Sequence, residues 1–264
     1  MTDVQADLDL IVAAALEAGH LALKLRGKGL SVEYKADRSQ VTNADLATDA
    51  LLTRRLRTER PDYGWLSEET ADNAERLTTH RQFVVDPIDG TRAYIGNRPW
   101  WAVSIAVVEA GQPIAGVVFA PDLGETYTAL AGEGARMNDA GIGPSDCDQV
   151  EGCAMVGDQR MFDHPAWPRP WPAMRVESRN STAYRMCLVA AGAFDAAIAL
   201  VRKSDWDLAA ADLIAREAGA YSGDHLGRPF SYNQADPAQH SLVCAAPRLA
   251  PLILDRVGHI ALRR

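Results

Sequence analysis

The apolar run Phe83-Val84-Val85 leads directly into Asp86-Pro87-Ile88-Asp89-Gly90-Thr91. Any fold of this chain must therefore hold two carboxylates, at i and i+3, at the end of a strand-like segment. Pro87 lacks a backbone donor and fixes φ, so the chain is expected to leave the sheet here as a turn. Gly90 permits close backbone approach or positive φ. Carboxylates this close repel one another unless a cation lies between them. A hard divalent cation with oxygen ligands meets that need, Mg²⁺ being the usual one. The same hexapeptide alone is also compatible with a purely structural Asx turn.

Two carboxylates do not complete a metal shell, and further acids sit at comparable junctions. Glu68-Glu69 follows the short strand Trp65-Leu66, and Asp207 opens a helix in Trp206-Asp207-Leu208-Ala209-Ala210. Sites are commonly built where one element passes into the next. The Ile88 carbonyl adds a neutral oxygen. Glu68, Asp86, Asp89 and Asp207 together would be too negative to stand without metal, and would have room for about two or three Mg²⁺ ions. Gly90-Thr91 sits at an expected helix start, where free N–H groups favour a phosphate. Thr91, hydrogen-bonded to Asp45, is placed to orient a water, and Glu68 to take its proton. The implied reaction is hydrolysis of a phosphate ester. Each feature also has a plainer reading. Asp207 is a good N-cap, Glu68-Glu69 a solvated pair, and Thr42 with Asp45 a capping box. Spacing alone does not bring the acids together.

The chain has 264 residues, enough for one large domain or two fused halves. Those halves are expected at 1–135, an α+β half with most metal ligands, and 136–264, an α/β half with Asp207 and the substrate-specifying residues. The net charge of -8 argues against a nucleic-acid polymer as partner. It leaves room for a small phosphorylated metabolite, which needs only a local positive site. Cys147, Cys153, Cys187 and Cys244 show no C-x-x-C spacing and read as reduced thiols. The acidic N-terminus lacks the order of a signal peptide, and no run approaches the roughly 18 apolar residues of a membrane span. The expected setting is soluble and cytoplasmic. His20, His80, His164, His225, His240 and His259 form no ligand spacing.

Periodicity gives the elements. Val4, Leu8, Ile11, Ala15, Ala18, Ala22 and Leu25 share one helical face over 4–25, ended by Gly27 and Gly29. A second helix runs from its cap Thr42 to about Arg57. Strands are expected at 65–66, 83–85, 102–108, 114–119 and 125–129, with a hairpin at 109–113. Residues 158–174, with Pro165, Pro168, Pro170, Pro172, Trp167 and Trp171, read as an irregular loop. Then follow a helix at 182–191, a strand at 196–200 and a helix from Asp207 to the C′ glycine Gly219. A hairpin at 224–227, a strand at 241–245 and a helix from Pro247 complete the chain. Strands grouped between helices indicate α+β layers, not a dinucleotide-binding fold.

The motifs Val41-Thr42-Asn43-Ala44-Asp45, Leu66-Ser67-Glu68-Glu69, Asp86 to Thr91, and Trp206-Asp207 with Glu217-Ala218-Gly219 occur in an order that resembles the inositol monophosphatase superfamily of Mg²⁺-dependent, lithium-sensitive phosphatases. The resemblance spans nearly the whole chain. It implies a layered αβαβα sandwich of the inositol monophosphatase / fructose-1,6-bisphosphatase type. It also implies a homodimer, metal ligation by Glu68, Asp86, Asp89, Asp207 and the Ile88 carbonyl, and Asp45 with Thr91 around the catalytic water. The family's inositol phosphatases usually carry a glutamate shortly before the Trp-Asp motif to bind sugar hydroxyls. Here Ala196 to Asp205 has no acid at the expected place and offers Arg202 and Lys203, which suit a second phosphate. Asp224 to Gln234 resembles bacterial 3'(2'),5'-bisphosphate nucleotidases, with Trp167 or Trp171 available to stack on adenine. The preferred substrate is 3'-phosphoadenosine 5'-phosphate. Inositol 1-phosphate and histidinol phosphate are the alternatives.

Overall fold

The computed structural model describes residues 3–36, 38–165 and 167–262. The chain opens with α1 (Asp3–Arg26), a hairpin of β1 (Val32–Tyr34) and β2 (Gln40–Thr42), and α2 (Asn43–Glu59). Then come β3 (Gly64–Ser67), β4 (Arg81–Asp89), the short α3 (Thr91–Ile95), β5 (Ala102–Glu109), β6 (Gln112–Ala120), β7 (Glu125–Leu130), β8 (Ala135–Met137) and β9 (Ala140–Gly141). These strands form a seven-stranded sheet in sequential order from β3 to β9. The second part contains β10 (Ala154–Val156), α4 (Gln159–Phe162), β11 (Arg175–Glu177), α5 (Thr182–Ala190), β12 (Ala196–Ala199), β13 (Lys203–Ser204) and α6 (Asp205–Ala218). It ends with β14 (Tyr221–Gly223), β15 (Ala238–Gln239), β16 (Leu242–Ala245) and α7 (Ala250–Val257). Its main sheet has the order β11-β10-β12-β16-β14.

Three apolar cores separate the layers. α1 and α2 cover one face of the large sheet, with Ile11, Ala15 and Ala18 against Phe83, Ile105 and Val117. α5 and α6 fill the space between the two sheets. α7 covers the outer face of the small sheet through its cap residue Leu249 and through Ile253 and Val257. The result is the αβαβα order that the motifs implied. α1 lies close to the sheet because its face is small. A Cβ on Gly19 would lie 2.6 Å from the Phe119 ring, so only glycine fits there.

The structure alters several expectations. β4 does not end at Val85. It pairs with β5 through Asp89, with a register shift between Asp86 and Asp89. Pro87 sits in that irregularity, where no ladder donor is required, so a bulge replaces the expected exit from the sheet. α6 begins at Asp205, capped by Ser204, so Asp207 occupies its third position and is not the N-cap. The β1–β2 hairpin was not anticipated, because its Val32–Tyr34 arm is exposed and lacks alternation. Residues 158–174 hold the short α4, and Ala166 lies outside the described residues. Trp167 and Trp171 pack edge-to-face in the α7-side core, with Phe162 beside Trp171. Both rings therefore serve core packing and are not placed to stack on a substrate's adenine, since they lie on the face of the small sheet opposite α5 and α6. The four cysteines are free thiols, and all but Cys147 are buried.

Candidate active site

The parallel pairing of β3 with β4 sets Ser67 beside Val85, and the Glu68 N–H donates to the Val85 carbonyl at 3.2 Å. This register brings Glu68 next to Asp86. α2 supplies the adjoining wall through its buried face of Asp45, Asp49 and Leu52. Asp49 accepts from the Ser67 hydroxyl at 2.5 Å and the Thr70 hydroxyl at 2.7 Å, which fixes the segment carrying Glu68-Glu69. That pair is not solvated. Lys35, on the β1–β2 hairpin, donates to Glu68 at 3.0 Å and to Glu69 at 2.8 Å.

Asp45 performs two jobs with its two oxygens. Oδ2 closes the capping box, accepting from the Thr42 N–H at 2.8 Å and the Thr42 hydroxyl at 2.6 Å. Oδ1 faces Thr91 Oγ1 at 3.5 Å. The Thr91 hydroxyl has one proton and lies closer to the Ile88 carbonyl, at 3.2 Å, leaving Asp45 Oδ1 only weakly engaged. A small core of Ala22, Ala44, Ile88, Ala93, Tyr94 and Trp101 lies beneath, and the Tyr94 hydroxyl donates to the Ala22 carbonyl at 2.7 Å. It locks α3 and the turn before it onto α1 and α2.

Asp89 is held by the start of α5. The Ser181 hydroxyl and the Ala183 N–H donate to Oδ2 at 2.5 and 2.7 Å, and the Thr182 N–H donates to Oδ1 at 3.2 Å. Gly90 permits this approach. Its φ is +94°, and a Cβ there would lie 3.0 Å from the Trp100 carbonyl and 3.1 Å from the Ser181 nitrogen. Gly90→Ala is therefore expected to lower stability by at least about 2 kcal/mol, from left-handed backbone strain plus the clash. It should also weaken the Ser181 hold on Asp89. Thermal unfolding and phosphate release measured together check this; a variant unchanged in both would contradict it.

Asp86, Asp89 and Asp207 each present an oxygen within 4.8 Å of the others. Asp86 Oδ1 accepts from the Ile88 N–H at 3.0 Å, whereas its buried Oδ2 has no protein partner. Glu68 lies outside that tightest group but shares its field. Burial pushes the Asp86 carboxyl far up, reinforced by Glu68, Asp89, Asp207 and Asp45. Burial also raises Asp207, to about 7, with Lys203 opposing and Asp89 and Glu68 reinforcing. Glu68, Asp89 and Asp45 are raised too, in each case first by burial. For Lys35, burial works downward, but Glu68 and Glu69 outweigh it and the ammonium is raised. A buried, partnerless oxygen among crowded carboxylates is the donor set of a hard divalent cation, so these residues fit Mg²⁺.

The model of the inositol monophosphatase family matches residues 3–260. The chain belongs to that family. It is a family of Mg²⁺-dependent phosphatases acting on small phosphorylated substrates. The histidinol-phosphatase of Mycobacterium tuberculosis (strain ATCC 25618 / H37Rv) is 35% identical over 245 residues, covering 86% of this chain and 93% of that protein. The 3'(2'),5'-bisphosphate nucleotidase CysQ of Escherichia coli O157:H7 is 31% identical over 230 residues, covering 85% of this chain and 93% of that protein. The solved structure of extragenic suppressor protein suhB from Bartonella henselae superposes with a TM-score of 0.82 at 25% identity, covering 97% of this chain and 100% of that one. Family members this similar carry different substrate names, so membership gives the reaction class and leaves the substrate to side chains around the acids.

Of the residues read from sequence, the structure gathers Asp45, Glu68, Asp86, Ile88, Asp89, Gly90, Thr91 and Asp207. Lys203 reaches the same place, with Nζ 2.9 Å from Thr182 Oγ1 and 3.9 Å from Asp207 Oδ2. Arg202 does not join them. Its exposed guanidinium pairs with Asp236. Sequence reasoning missed Lys35, Asp49, Ser181 and Thr182. The helix start assigned to Thr182 does make Ser181 legible as a cap, but nothing local shows that its hydroxyl also serves Asp89. No helix among the described residues is long and apolar enough to cross a membrane.

Proposed function

We propose that this family member hydrolyses a small phosphorylated metabolite bearing a second phosphate, 3'-phosphoadenosine 5'-phosphate being the preferred substrate. The observation that carries the reaction is the convergence of Asp86, Asp89 and Asp207 around the partnerless Asp86 Oδ2, with Asp45 and Thr91 alongside. About two or three Mg²⁺ ions held by Glu68, Asp86, Asp89, Asp207 and the Ile88 carbonyl would supply Lewis-acid polarisation of the phosphoryl group and charge neutralisation. The chain's own groups do the rest. Thr91 Oγ1, between Asp45 and Ile88, orients the attacking water. Glu68, steadied by Lys35, takes the water's proton. The water oxygen bonds to phosphorus, the ester P–O bond breaks, and the departing oxygen takes a proton from solvent water, so that the alcohol leaves with inorganic phosphate while Glu68 returns its proton to solvent.

The choice of substrate rests on what precedes Trp206. Leu200 packs against the α7-side core, and no acid between Ala196 and Leu200 is available for sugar hydroxyls. A cation, Lys203, reaches Thr182 at the acid cluster instead. Phosphate release from 3'-phosphoadenosine 5'-phosphate, inositol 1-phosphate and histidinol phosphate should be compared with Mg²⁺ present. The bisphosphate is expected to give the highest kcat/KM. A higher value on either monophosphate overturns the substrate assignment, and no release from any of the three speaks against the reaction.

A further inference from the structure

Between Ala71 and His80 only Arg76 is buried, at 2% exposed, although its neighbours on the single 3₁₀ turn Ala74–Thr78 face solvent. Its guanidinium spans two distant segments. Nε and Nη2 donate to the two oxygens of Asp72 at 2.6 and 2.9 Å, a fork on one local carboxylate. Nη1 donates to Asn233 Oδ1 at 2.9 Å, and Nη2 also donates to the Gln234 carbonyl at 3.0 Å. The Arg76 carbonyl accepts from the Asn233 amide in return, at 3.5 Å. Asn233 has a φ of +57°, a left-handed turn that asparagine tolerates.

Each end of this bridge leads to an acid of the site. On the near side, Asp72 follows Glu68-Glu69 in the segment that Asp49 fixes through Ser67 and Thr70. On the far side, Asn233 and Gln234 open the stretch that supports the first turn of α6. There the Asp205 N–H donates to the Pro237 carbonyl at 2.9 Å, Ser204 pairs with Ala238 between β13 and β15, and Gln239 Nε2 donates to Asp205 Oδ1 at 2.9 Å. Asp207 lies in that same turn, its Oδ2 accepting from the Ser204 N–H at 3.3 Å. Tyr232 is moored separately, its N–H donating to the Gly111 carbonyl at 3.0 Å. Among the described residues, the hydrogen bonds from 233–238 to the segments before β10 all go to Arg76. A buried guanidinium is costly unless its donors are satisfied. Asp72 alone meets its charge. The two neutral acceptors far along the chain take its remaining donors, and a planar fork holds both segments at once.

We propose that Arg76 is a positioning residue of the metal site, bracing the segment that carries Glu68 against the support of the first turn of α6, and so setting Glu68 and Asp207 at the separation that divalent-ion binding needs. This rests on the reading of Glu68 and Asp207 as metal ligands given above. α6 is already packed on β4, β5 and β6, so the brace does not decide whether the helix forms. It decides how firmly the first turn is held, and helix ends are where local opening is easiest. Carboxylates gathered for a cation repel one another until it arrives. A brace that holds them ready lowers the cost of binding the ion.

Two variants test the brace from its two ends. Arg76→Met keeps the apolar stem and removes the fork, and Asn233→Gly keeps the left-handed turn and removes the acceptor. Mg²⁺ affinity is measured by titration calorimetry on the substrate-free protein, and amide hydrogen exchange is followed in chelator. Each variant should bind Mg²⁺ about tenfold more weakly, the lower end of the loss caused by removing a group that supports a ligand. The double variant should lose no more than Arg76→Met, because both changes cut one connection. In chelator, exchange of the Asp205 N–H should quicken by about tenfold in Arg76→Met, while that of Leu213, buried in the middle of α6, stays unchanged. A role confined to folding the 71–80 segment would move neither the Asp205 amide nor Mg²⁺ affinity. Unchanged Mg²⁺ affinity in either folded variant overturns the brace. So do additive losses in the double variant, or an Asp205 amide that keeps its ordinary rate. Where Arg76→Met fails to fold, Asn233→Gly carries both readouts. An unaltered protein that takes up no Mg²⁺ overturns the metal-site reading instead, and exchange at Asp205 still decides the brace.

Discussion

Asp86→Asn is expected to reduce Mg²⁺-dependent phosphate release by more than about a hundredfold, without lowering the stability of the metal-free protein. Loss of a group that only supports a metal ligand commonly costs about 10- to 100-fold, and loss of a ligand charge should exceed that. The stability half of the expectation comes from the local geometry. Asp86 Oδ1 accepts from the Ile88 N–H at 3.0 Å, and an asparagine oxygen preserves that bond. Oδ2 is buried and receives nothing, while Glu68, Asp89, Asp207 and Asp45 all raise its proton affinity. An amide group there removes a repelled charge and gains acceptors for its N–H groups. Asp89→Asn is a poorer probe, because both Asp89 oxygens already accept from Ser181, Thr182 and Ala183. An amide nitrogen would face donors, so activity and fold would suffer together. Phosphate-release kinetics and thermal unfolding in a chelator check the Asp86 expectation. Near-normal activity would exclude Asp86 from the metal site. A clear loss of metal-free stability would make it a structural residue instead.

The layer order was legible because its signals are local and redundant. The apolar face of α1, the Thr42-to-Asp45 cap and the β5–β6 hairpin each announce themselves within a few residues. The acids were legible as individuals, and the motif order tied them to one site. What could not be read was support that arrives from far along the chain. Asp86 to Asp89 remains in the sheet because β5 continues to pair across the bulge, a condition set by another strand. Asp207 sits inside α6 because Ser204 takes the cap, although Asp207 is itself a good capping residue. Arg202 and Lys203 are neighbours of like charge, indistinguishable by composition. The structure parts them, giving one to exposed Asp236 and the other to Thr182. Lys35 lay in an unpatterned polar stretch, with no sign that it would bridge Glu68 and Glu69.

The metal-free protein should lose stability as pH rises from about 4 to about 7, and Mg²⁺ should restore it. The carboxyl of Asp207 is raised to about 7, chiefly by burial. Asp45, Glu68, Glu69, Asp86 and Asp89 are also raised, each with burial as the first cause. In the unfolded chain these groups titrate near about 4. Between the two values the native state holds protons that the unfolded state has released, so unfolding free energy falls with rising pH. This is the reverse of the usual behaviour of paired surface carboxylates. Divalent cations compete with those protons, so their stabilising effect should be small at about pH 5 and largest near about pH 8. At a free Mg²⁺ concentration about 100-fold above Kd, mass action adds about 2.7 kcal/mol. For a chain of this size that corresponds to a Tm increase of about 5–10 °C. Thermal unfolding across this pH range, in chelator and in Mg²⁺, measures both effects. A flat profile in chelator would mean that the acids ionise freely without metal. Equal Mg²⁺ shifts at both ends would mean that the ion binds somewhere other than these carboxylates. Asp86→Asn should flatten the profile in chelator and diminish the Mg²⁺ shift in parallel, because both effects arise from one crowded set of charges.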